Sequence, residues 1–255
     1  MNIISIVQAR MSSSRLPGKV LLDIEGQPML VHVVERASMA QSIDQVVVAT
    51  TIDPSDDLLH AFCLERGYPC YRGSLHDVLD RYYQAARVFQ AEVIVRITAD
   101  CPLIDPTVVD QTVEEFLGPP PCDFAANRLP PPWGRTYPVG LDVEVCSFAG
   151  LELAWREALA PHQREHVMPF FYDQPERFNI RHVNFEADYG ALRWTVDTPE
   201  DLELVRQIFA NFPDQQDFSW LEALDFVQHN PDLSRINAQV KAKDYRQVDE
   251  RRKDN

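Results

Sequence analysis

Short runs of β-branched and apolar residues alternate along the chain with longer amphipathic stretches. The apolar runs predict strands at Ile3–Val7, Gln45–Thr51, Glu92–Thr98 and Leu141–Val145, and a weaker one at Cys70–Arg72. The valines of Val46–Val48 lack alternation, which is typical of a strand covered on both faces of a sheet. Strands that alternate with helices predict an α/β fold, a single domain with a doubly wound, mostly parallel sheet.

Helix signals lie between these strands. The apolar residues of segment 28–40 fall on one stripe of a helix. Asp53 followed by Pro54 is typical of a helix start, and Gly67 is typical of its end. Similar patterns predict strands near Asp123–Ala126, Asn179–Phe185 and Leu192–Val196, and helices near Phe148–Leu159, Pro199–Phe209 and Trp220–Gln228.

Two further segments carry local signals. Ser74, with an acid three residues later at Asp77, predicts the start of a helix over residues 77–89. Two proline runs within residues 117–138 break regular structure, so we expect this segment to be mostly loop around one short strand.

The charge of the chain is uneven. Its 255 residues carry 39 acidic and 24 basic side chains, a formal net charge of −15. A chain this acidic is not expected to bind nucleic acid, because phosphate backbones need a basic surface. The first 22 residues reverse the balance, since they contain no acid but hold Arg10, Arg15 and Lys19. We therefore expect an anionic ligand near this end of the chain.

The cysteines and the apolar runs indicate the compartment. Five scattered cysteines form no C-x-x-C pair, which favours reduced thiols over disulfides or a zinc site. No apolar run reaches the length of a membrane helix, and the first one stops at Gln8 without the features of a signal peptide. We expect a cytoplasmic protein without membrane contact.

The segment Gln8–Lys19 directly follows the first predicted strand. Ligands of parallel sheets lie outside the carboxyl ends of the strands. Small residues let main-chain N–H groups approach phosphate oxygens, while Arg and Lys supply charge. The segment matches neither the dinucleotide fingerprint nor the P-loop. It predicts a phosphate-binding loop, and the alternative is a surface loop with solvated cations.

This loop and the blocks that follow it carry a family resemblance. The loop reads QARMSSSRLPGK. Further blocks are Gly26–Leu30, Val48–Thr51, Arg72–Ser74, Asp77–Tyr82, Arg96–Asp105, Gly140–Val145, Arg164–Val167 and Arg193–Leu202. In this order they resemble the sugar-acid cytidylyltransferases, which include the CMP-ulosonate synthetases and, as the closer match, the spore-coat polysaccharide synthesis proteins. The blocks span about residues 1–210, with Ser12 where the spore-coat branch often has Gly.

The resemblance implies a nucleotide-diphospho-sugar transferase-like (Rossmann-like) fold. It also implies transfer of CMP from CTP to a sugar acid or similar anionic acceptor, with release of pyrophosphate, in surface polysaccharide or glycoconjugate precursor synthesis. It implies catalytic roles for Arg10, Arg15, Lys19 and Asp100. The nucleotide would contact Gln8, Ala9, Arg10, Ser12, Arg15, Lys19, Arg72, Gly73, Ser74, Thr98 and Ala99. For Gly73 and Ser74 the alternative is a plain helix cap.

The resemblance also divides the chain. We assign residues 1–212 to a cytidylyltransferase domain and 213–240 to a C-terminal helical extension. Residues 241–255 form a charged tail that we expect to be disordered. A homodimer is an expectation at the level of the family only.

Two acids follow predicted strands at the same edge of the sheet. Carboxylates in the positions of Asp100 and Asp197 suit Mg²⁺ or Mn²⁺, because such an ion completes its shell with substrate phosphates and water. The alternatives are a helix cap for Asp197, before Pro199, and a turn residue for Asp100, before Pro102. The resemblance implies that both acids bind the metal.

The acceptor is the other substrate. The resemblance implies that Asp142, Glu144, Arg164 and His166 contact it. The alternatives are a solvated strand face for the two acids and a structural role for His166.

Two other functions fit parts of the sequence. The acids Asp142 and Glu144 loosely imitate the Asp-x-Asp metal motif of nucleotide-sugar glycosyltransferases, which have a similar fold. The cationic loop after the first strand favours a free nucleoside triphosphate instead. The third function is a non-catalytic nucleotide-binding module, against which Asp100 and Asp197 argue.

Overall fold

The computed structural model describes residues 1–213, 217–241, 246 and 248. Its strands are β1 (Ile3–Gln8), β2 (Asp23–Ile24), β3 (Gln27–Pro28), β4 (Gln45–Thr51), β5 (Cys70–Gly73), β6 (Val93–Thr98), β7 (Phe124–Ala126), β8 (Glu144–Ser147) and β9 (Ile180–His182). Its helices are α1 (Met29–Ser38), α2 (Asp57–Arg66), α3 (Val78–Val88), α4 (Pro106–Leu117), α5 (Phe148–Glu157), α6 (Pro161–His166), α7 (Pro169–Tyr172), α8 (Pro199–Ala210), α9 (Trp220–His229) and α10 (Leu233–Ile236). Turns of 3₁₀ helix lie at Lys19–Leu21 and Pro54–Asp56.

Seven strands of the described chain form one sheet in the order β5-β4-β1-β6-β8-β7-β9. The first four are parallel to one another, and β8 runs antiparallel to both β6 and β7. The first strand of the chain lies inside this sheet, with Ser5 paired to Val46 on one side and to Val95 on the other. The predicted α/β class with a mostly parallel sheet is confirmed.

Both faces of the sheet are covered. Successive residues of a strand face opposite sides. Ile3 and Val7 of β1 join a buried cluster with α1 and α4, whereas Ile4 and Ile6 join another with α3 and α5. This double cover explains why β1 and β4 are apolar without alternation.

Side chains cap several of the helix starts: Asp53 does so as predicted, whereas Thr198, and not Asp197, caps the helix that begins at Pro199. Asp53 accepts a hydrogen bond from the nitrogen of Ser55 at 2.9 Å, at the turn that leads into α2. Thr198 and Asp201 form a reciprocal capping box at the start of α8. Gly67 ends α2 in the left-handed conformation, with φ 70°.

The predicted helix cap at Ser74 is wrong. The side chain of Asp77 caps α3, because it accepts from the nitrogen of Asp80 at 2.9 Å. Ser74 Oγ instead accepts from the nitrogen of Asp77 at 2.9 Å. Ser74 therefore shapes the turn between β5 and α3.

The predicted strand Leu192–Val196 is also wrong. Arg193 forms only an isolated bridge with Val139, and neither residue belongs to a strand of the sheet. The nitrogens of Trp194 and Val196 donate to different segments, to the carbonyls of Val139 and Asp100 at 2.7 and 2.8 Å. Both side chains are buried in the core. The apolar pattern therefore reflects burial, which a segment can achieve without strand pairing.

The strand predicted at Leu141–Val145 begins later, at Glu144. The side chain of Asn127 explains the shift. Its Nδ2 donates to the carbonyl of Leu141 at 2.6 Å, and its Oδ1 accepts from the nitrogen of Val143 at 2.9 Å. A buried amide thus takes the place of a neighbouring strand.

Residues 217–241 pack on the same core as the sheet. Phe218 and Trp220 are buried in the cluster that contains α1. The guanidinium of Arg36 in α1 donates to the carbonyl of Phe218 at 2.8 Å. The domain boundary at residue 212 stays a prediction.

Most of the predicted charged tail, residues 241–255, lies outside the described residues. Among the helices of the described ranges, none is long and apolar enough to cross a membrane.

Candidate active site

The loop after β1 is closed by its own main chain. The carbonyl of Met11 accepts from the nitrogens of Ser13 and Gly18 at 2.9 and 2.8 Å. Gly18 has φ 70°, a left-handed conformation that suits glycine because it has no side chain. The nitrogen of Met11 donates to Oδ1 of Asp56 at 2.7 Å. The loop is therefore held as a compact turn against the segment that follows β4.

Sequence analysis missed Asp56. This acid is fully buried, and its other oxygen accepts from the nitrogen and the hydroxyl of Thr51. It lies between the acids Asp53 and Asp57 at the start of a predicted helix. No sequence signal separates it from these neighbours.

Lys19 brings the two predicted metal ligands together. Its Nζ donates to Oδ2 of Asp100 at 2.8 Å, to Oδ1 of Asp197 at 2.9 Å and to the carbonyl of Val196 at 2.8 Å. Burial lowers the pKa of Lys19, but attraction to Asp100 and Asp197 outweighs it and raises the pKa above its ordinary value. The ammonium group therefore stays charged and binds both carboxylates.

Asp197 is in contact with three cations. Besides Lys19, the guanidinium groups of Arg15 and Arg193 each lie 2.8 Å from its Oδ2. Burial opposes ionisation of Asp197, but attraction to Lys19 and Arg15 and the hydrogen bond from Arg193 lower its pKa to about 2. Asp197 is therefore ionised at physiological pH.

Arg193 and Asp201 support this cluster from behind. Arg193 Nε donates to Oδ1 of the fully buried Asp201 at 2.9 Å. Oδ2 of Asp201 accepts from the nitrogens of Asp197 and Thr198 at 3.0 and 3.1 Å. Asn237 Nδ2, from the segment after α10, donates to Asp201 Oδ1 and to the carbonyl of Arg193, each at 2.9 Å. Sequence analysis gave no role to Asp201 or Asn237.

A neutral thiol lies beside Asp100. Cys101 Sγ is 3.2 Å from Oγ1 of Thr98 and 3.7 Å from Oδ1 of Asp100. Burial, followed by the charge of Asp100, raises the pKa of Cys101 well above its ordinary value. Thr195 Oγ1 donates to the carbonyl of Asp100 at 3.1 Å. These contacts limit the movement of Asp100.

Four predicted nucleotide residues lie where β1 and β6 end. Gln8 is paired with Thr98 across the two strands. The nitrogen of Ala99 donates to the carbonyl of Gln8 at 3.0 Å, and that of Ala9 to the carbonyl of Ala49 at 3.2 Å. The structure thus brings Gln8, Ala9, Thr98 and Ala99 to one edge of the sheet.

Arg72, Gly73 and Ser74 end the neighbouring strand β5 and begin the turn after it. Gly73 is paired with Thr51 of β4. Arg72 Nε donates to the carbonyl of Thr51 at 2.7 Å, and its Nη2 lies 2.7 Å from Oδ1 of Asp57. Arg72 therefore ties the end of β5 to the segment after β4.

The predicted acceptor acids belong to a second ionic cluster. Arg135 Nη1 donates to Oδ1 of Asp142 at 2.6 Å, and Glu144 is paired with Arg96. Burial opposes ionisation of Asp142, but Arg135 and Arg128 lower its pKa below its ordinary value. Arg128 Nη1 lies 3.9 Å from Oε1 of Glu144. Sequence analysis missed Arg96, Arg128 and Arg135.

The two clusters touch at Gln8. Arg96 Nη2 donates to Oε1 of Gln8 at 3.1 Å, while its Nη1 is bound to Glu144. Gln8 also begins the cationic loop, so the hydrogen bond from Arg96 links this loop to the second ionic cluster.

Arg164 and His166 lie on α6, which packs against α3. Arg164 Nε donates to Oδ1 of Asp77 at 3.0 Å, and its Nη1 donates to the carbonyl of Trp155 at 2.7 Å. Val167 follows His166 with φ 71°, and the nitrogen of Met168 donates back to the carbonyl of His166 at 2.9 Å. These contacts tie α6 to its neighbours. An acceptor role for Arg164 or His166 stays a prediction.

The comparison with known families decides the class of protein. A cytidylyltransferase family model matches residues 4–230. The chain belongs to the cytidylyltransferase family. It is a CTP-dependent nucleotidyltransferase, as the sequence predicts.

Three relatives of this cytidylyltransferase match between 80% and 98% of its length. An uncharacterized protein of Methanocaldococcus jannaschii is 36% identical, over 98% of this chain and 100% of the relative. The spore coat polysaccharide biosynthesis protein SpsF of Bacillus subtilis is 30% identical, over 91% of this chain and 97% of the relative. The 3-deoxy-manno-octulosonate cytidylyltransferase of Anaeromyxobacter dehalogenans is 34% identical, over 80% of this chain and 96% of the relative.

Solved structures show the same fold. A cytidylyltransferase of Leptospira borgpetersenii superposes with a TM-score of 0.86 at 32% identity, over 95% of this chain and 100% of that one. A CMP:2-keto-3-deoxy-manno-octonic acid synthetase complexed with CTP superposes with a TM-score of 0.63 at 23% identity, over 83% of this chain and 99% of that one. The nucleotidyltransferase fold predicted from the sequence is confirmed.

Proposed function

We propose that this cytidylyltransferase transfers CMP from CTP to an anionic sugar acid or a similar acceptor, with release of pyrophosphate, in the synthesis of surface polysaccharide or glycoconjugate precursors. The observation that carries the proposal is the meeting of the cationic loop with two carboxylates, through Lys19, Asp100 and Asp197. The names of two relatives, a spore coat polysaccharide biosynthesis protein and a 3-deoxy-manno-octulosonate cytidylyltransferase, support the acceptor class.

The loop after β1 would hold the triphosphate. Arg10, Arg15 and Lys19 supply cations in a chain whose net charge is −15, so the loop is a local attractor for an anion. CTP brings about four negative charges, and Arg guanidinium groups bind phosphate oxygens through two parallel hydrogen bonds. Main-chain N–H groups of the small residues at 12–14 can approach the phosphates closely.

The residues present fit a divalent cation. Asp100 and Asp197 already share one cation, the Lys19 ammonium, so their oxygens converge on one position. Among the described residues no group of three or more His, Cys, Asp and Glu side chains is arranged to hold a metal. A site with two carboxylates suits Mg²⁺ or Mn²⁺, which takes its other ligands from phosphate and water. When bound, the ion would neutralise charge on the phosphates.

The protein's own part in the transfer is positioning and charge neutralisation. An acceptor oxygen attacks the α-phosphorus in line with the leaving pyrophosphate, and negative charge accumulates on the phosphate oxygens. Arg10, Arg15 and Lys19 would stabilise that charge, with Asp197 fixing the side chain of Arg15 at 2.8 Å. One well-placed stabiliser of this kind is worth about 10²-fold in rate.

The second ionic cluster would bind the acceptor. Arg128 is partly exposed and is 3.9 Å from Glu144 Oε1, which has no hydrogen-bond partner among the described residues. That oxygen is buried, whereas the guanidinium of Arg128 is accessible and can receive the carboxylate of a sugar acid. Arg128→Gln should then raise the KM for the acceptor at least about tenfold with little change in the Kd of CTP. Arg156→Gln, on the exposed face of α5, is the control.

Thermal unfolding tests the nucleotide. CTP with Mg²⁺ should raise the Tm more than ATP with Mg²⁺, since a ligand that binds only the folded state stabilises it by about 2.7 kcal/mol at a hundredfold excess over Kd. Equal shifts with all four nucleoside triphosphates would remove the preference for cytidine.

Product analysis tests the reaction. Pyrophosphate should appear when CTP is combined with sugar acids, and not with the corresponding neutral sugars. Release of free nucleotide from a nucleotide sugar, without pyrophosphate from CTP, would contradict the proposal. We assign the reaction to the cytoplasm, which agrees with five free thiols. A homodimer stays a prediction.

A further inference from the structure

Arg81 of α3 is a buried cation with little to bind. Its residue is 2% exposed. Nη1 donates to the carbonyl of Ser74 at 2.8 Å, and Nε has no partner among the described residues. No carboxylate of the described chain lies within ion-pair distance of it. Buried arginines are ordinarily paired with an acid or fully hydrogen-bonded, because removing a charge from water is costly.

The surroundings of Arg81 further destabilise its charged form. Burial lowers the pKa of Arg81 to about 10, and repulsion from Arg10 adds to this effect. The acids that act on it electrostatically, Asp56 and Asp77, are bound elsewhere. Asp56 accepts from the nitrogen of Met11, and Asp77 accepts from Arg164. If Arg81 only stabilised the fold, we would expect it to form an ion pair or to have all of its donors hydrogen-bonded.

Arg81 lies directly under the turn that follows β5. A Cβ added to Gly73 would meet Cγ of Arg81 at 3.0 Å and Cε1 of Tyr71 at 2.9 Å. The main chain at Gly73 therefore packs against the aliphatic part of the Arg81 side chain. The guanidinium of Arg81 donates to the carbonyl of the next residue, Ser74. Arg81 fixes both the height of this turn and the orientation of its peptide groups.

We propose that Arg81 is a positioning residue that gives the enzyme its preference for cytosine over uracil, by fixing the peptide groups of Gly73 and Ser74 against the base. The inference rests on the proposed function together with the predicted contact of the nucleotide with Gly73 and Ser74. Cytosine has an acceptor at N3 and an amino group at C4, whereas uracil has a donor at N3 and a carbonyl at C4. Fixed donors and acceptors distinguish the two patterns, whereas a mobile turn adapts to either.

Two substitutions test this role. Arg81→Met removes the charge and all donors but keeps an unbranched apolar stem, and Arg81→Lys keeps the charge and one donor group. The Kd values of CTP and UTP, each with Mg²⁺, are measured by calorimetry, and the Tm is measured without nucleotide. We expect the ratio of the UTP Kd to the CTP Kd to fall at least about tenfold in Arg81→Met. Arg81→Lys should fall between that variant and the wild type.

The Tm distinguishes positioning from simple support. Because an unpaired buried charge is lost, the Tm of Arg81→Met should stay the same or rise. Arg36→Met is the matched control: Arg36 is 1% exposed but donates to the carbonyls of Ile104 and Phe218, each at 2.8 Å. That variant should lose Tm and keep the wild-type ratio.

The outcomes separate the two proposals. If the wild type prefers CTP and Arg81→Met keeps the same ratio with a lower Tm, Arg81 only supports the fold and the inference is wrong. If Arg81→Met does not fold, an unchanged ratio in Arg81→Lys overturns the inference equally. If the wild type itself does not distinguish CTP from UTP, the assignment to cytidine fails first.

Discussion

The main-chain nitrogen of Met11 donates to Oδ1 of Asp56 at 2.7 Å, across 45 positions of sequence. Oδ2 of the same acid accepts from Thr51, the last residue of β4. One buried carboxylate therefore joins the loop after β1 to the end of the neighbouring strand. The shape of the loop depends on a residue that carries no phosphate-binding chemistry of its own.

Asp56→Asn should weaken CTP binding. The amide of Asn offers Met11 only a neutral acceptor. Its NH₂ group would face Thr51, whose nitrogen and hydroxyl both donate to Asp56 in the wild type. We expect the Kd of CTP to rise about tenfold and the free energy of unfolding to fall by about 1–3 kcal/mol. Calorimetry and denaturant unfolding measure the two effects. Asp105→Asn is the control: Asp105 is also buried, but it accepts from Thr107 and Trp220, so it should lose stability alone.

Lys19→Met should increase the affinity of the nucleotide-free protein for Mn²⁺. The wild-type ammonium neutralises Asp100 and Asp197 and takes up their converging oxygens. Without it Oδ2 of Asp100 and Oδ1 of Asp197 lose the cation that they share. We therefore expect the Kd of Mn²⁺ to fall at least about tenfold. Loss of the electron paramagnetic resonance signal of free Mn²⁺ measures binding. Lys241→Met, at an exposed position, should bind as the wild type does. Equal affinity in all three proteins would show that Lys19 does not compete with a metal.

Asp100→Asn should abolish turnover more than it abolishes CTP binding. Asn keeps the size of the side chain but loses the charge that would attract a metal. The cations of the loop remain, so CTP should still bind in part. We expect kcat to fall by at least about 10²-fold, measured by pyrophosphate release. Near-normal kcat would leave Asp100 as a turn residue before Pro102.

Asp197→Asn should lower kcat to a similar extent and also cost stability. Arg15, Lys19 and Arg193 each lose a charged partner in this variant. A double variant with Asp100→Asn should be no slower than either single variant, because the two acids act as one unit. A slow Asp100→Asn combined with a normal Asp197→Asn would show that Asp197 serves only the fold.

Asp197 should also contribute to stability in acid. Its pKa is lowered from 3.8 to about 2, so the ionised form stabilises the folded state. This contribution is complete above pH 3.8 and is lost as the pH falls through about 2. The free energy of unfolding of Asp197→Asn should therefore fall less steeply over this range than that of the wild type. Glu176→Gln, at an exposed position, should keep the wild-type slope.

The parallel half of the sheet could be predicted from sequence because its signals are local. The apolar runs of β1, β4 and β6 report burial on both faces, and the loop after β1 is recognisable from its small and basic residues. The strand predicted at residues 192–196 is wrong because an apolar run reports burial and not strand pairing. Trp194 and Val196 are apolar because they are buried, and burial does not require a strand.

The supporting residues of the site could not be predicted because their partners are distant in sequence. Lys19 and Asp197 are 178 positions apart, and Asp201 meets Asn237 across 36. Neither Asp201 nor Asn237 differs in its local pattern from an ordinary cap or a surface amide. Only the fold shows that their side chains converge on Arg193.

Asn237 reaches Arg193 and Asp201 from the segment after α10, and the ribosome delivers it after every other member of that cluster. While the chain is being made, β1 and its loop emerge first and wait for partners that arrive much later. The hydrogen bonds from Asn237 can form only after this residue has left the exit tunnel. Completion of the hydrogen bonds around Arg193 therefore waits for translation of the segment after α10.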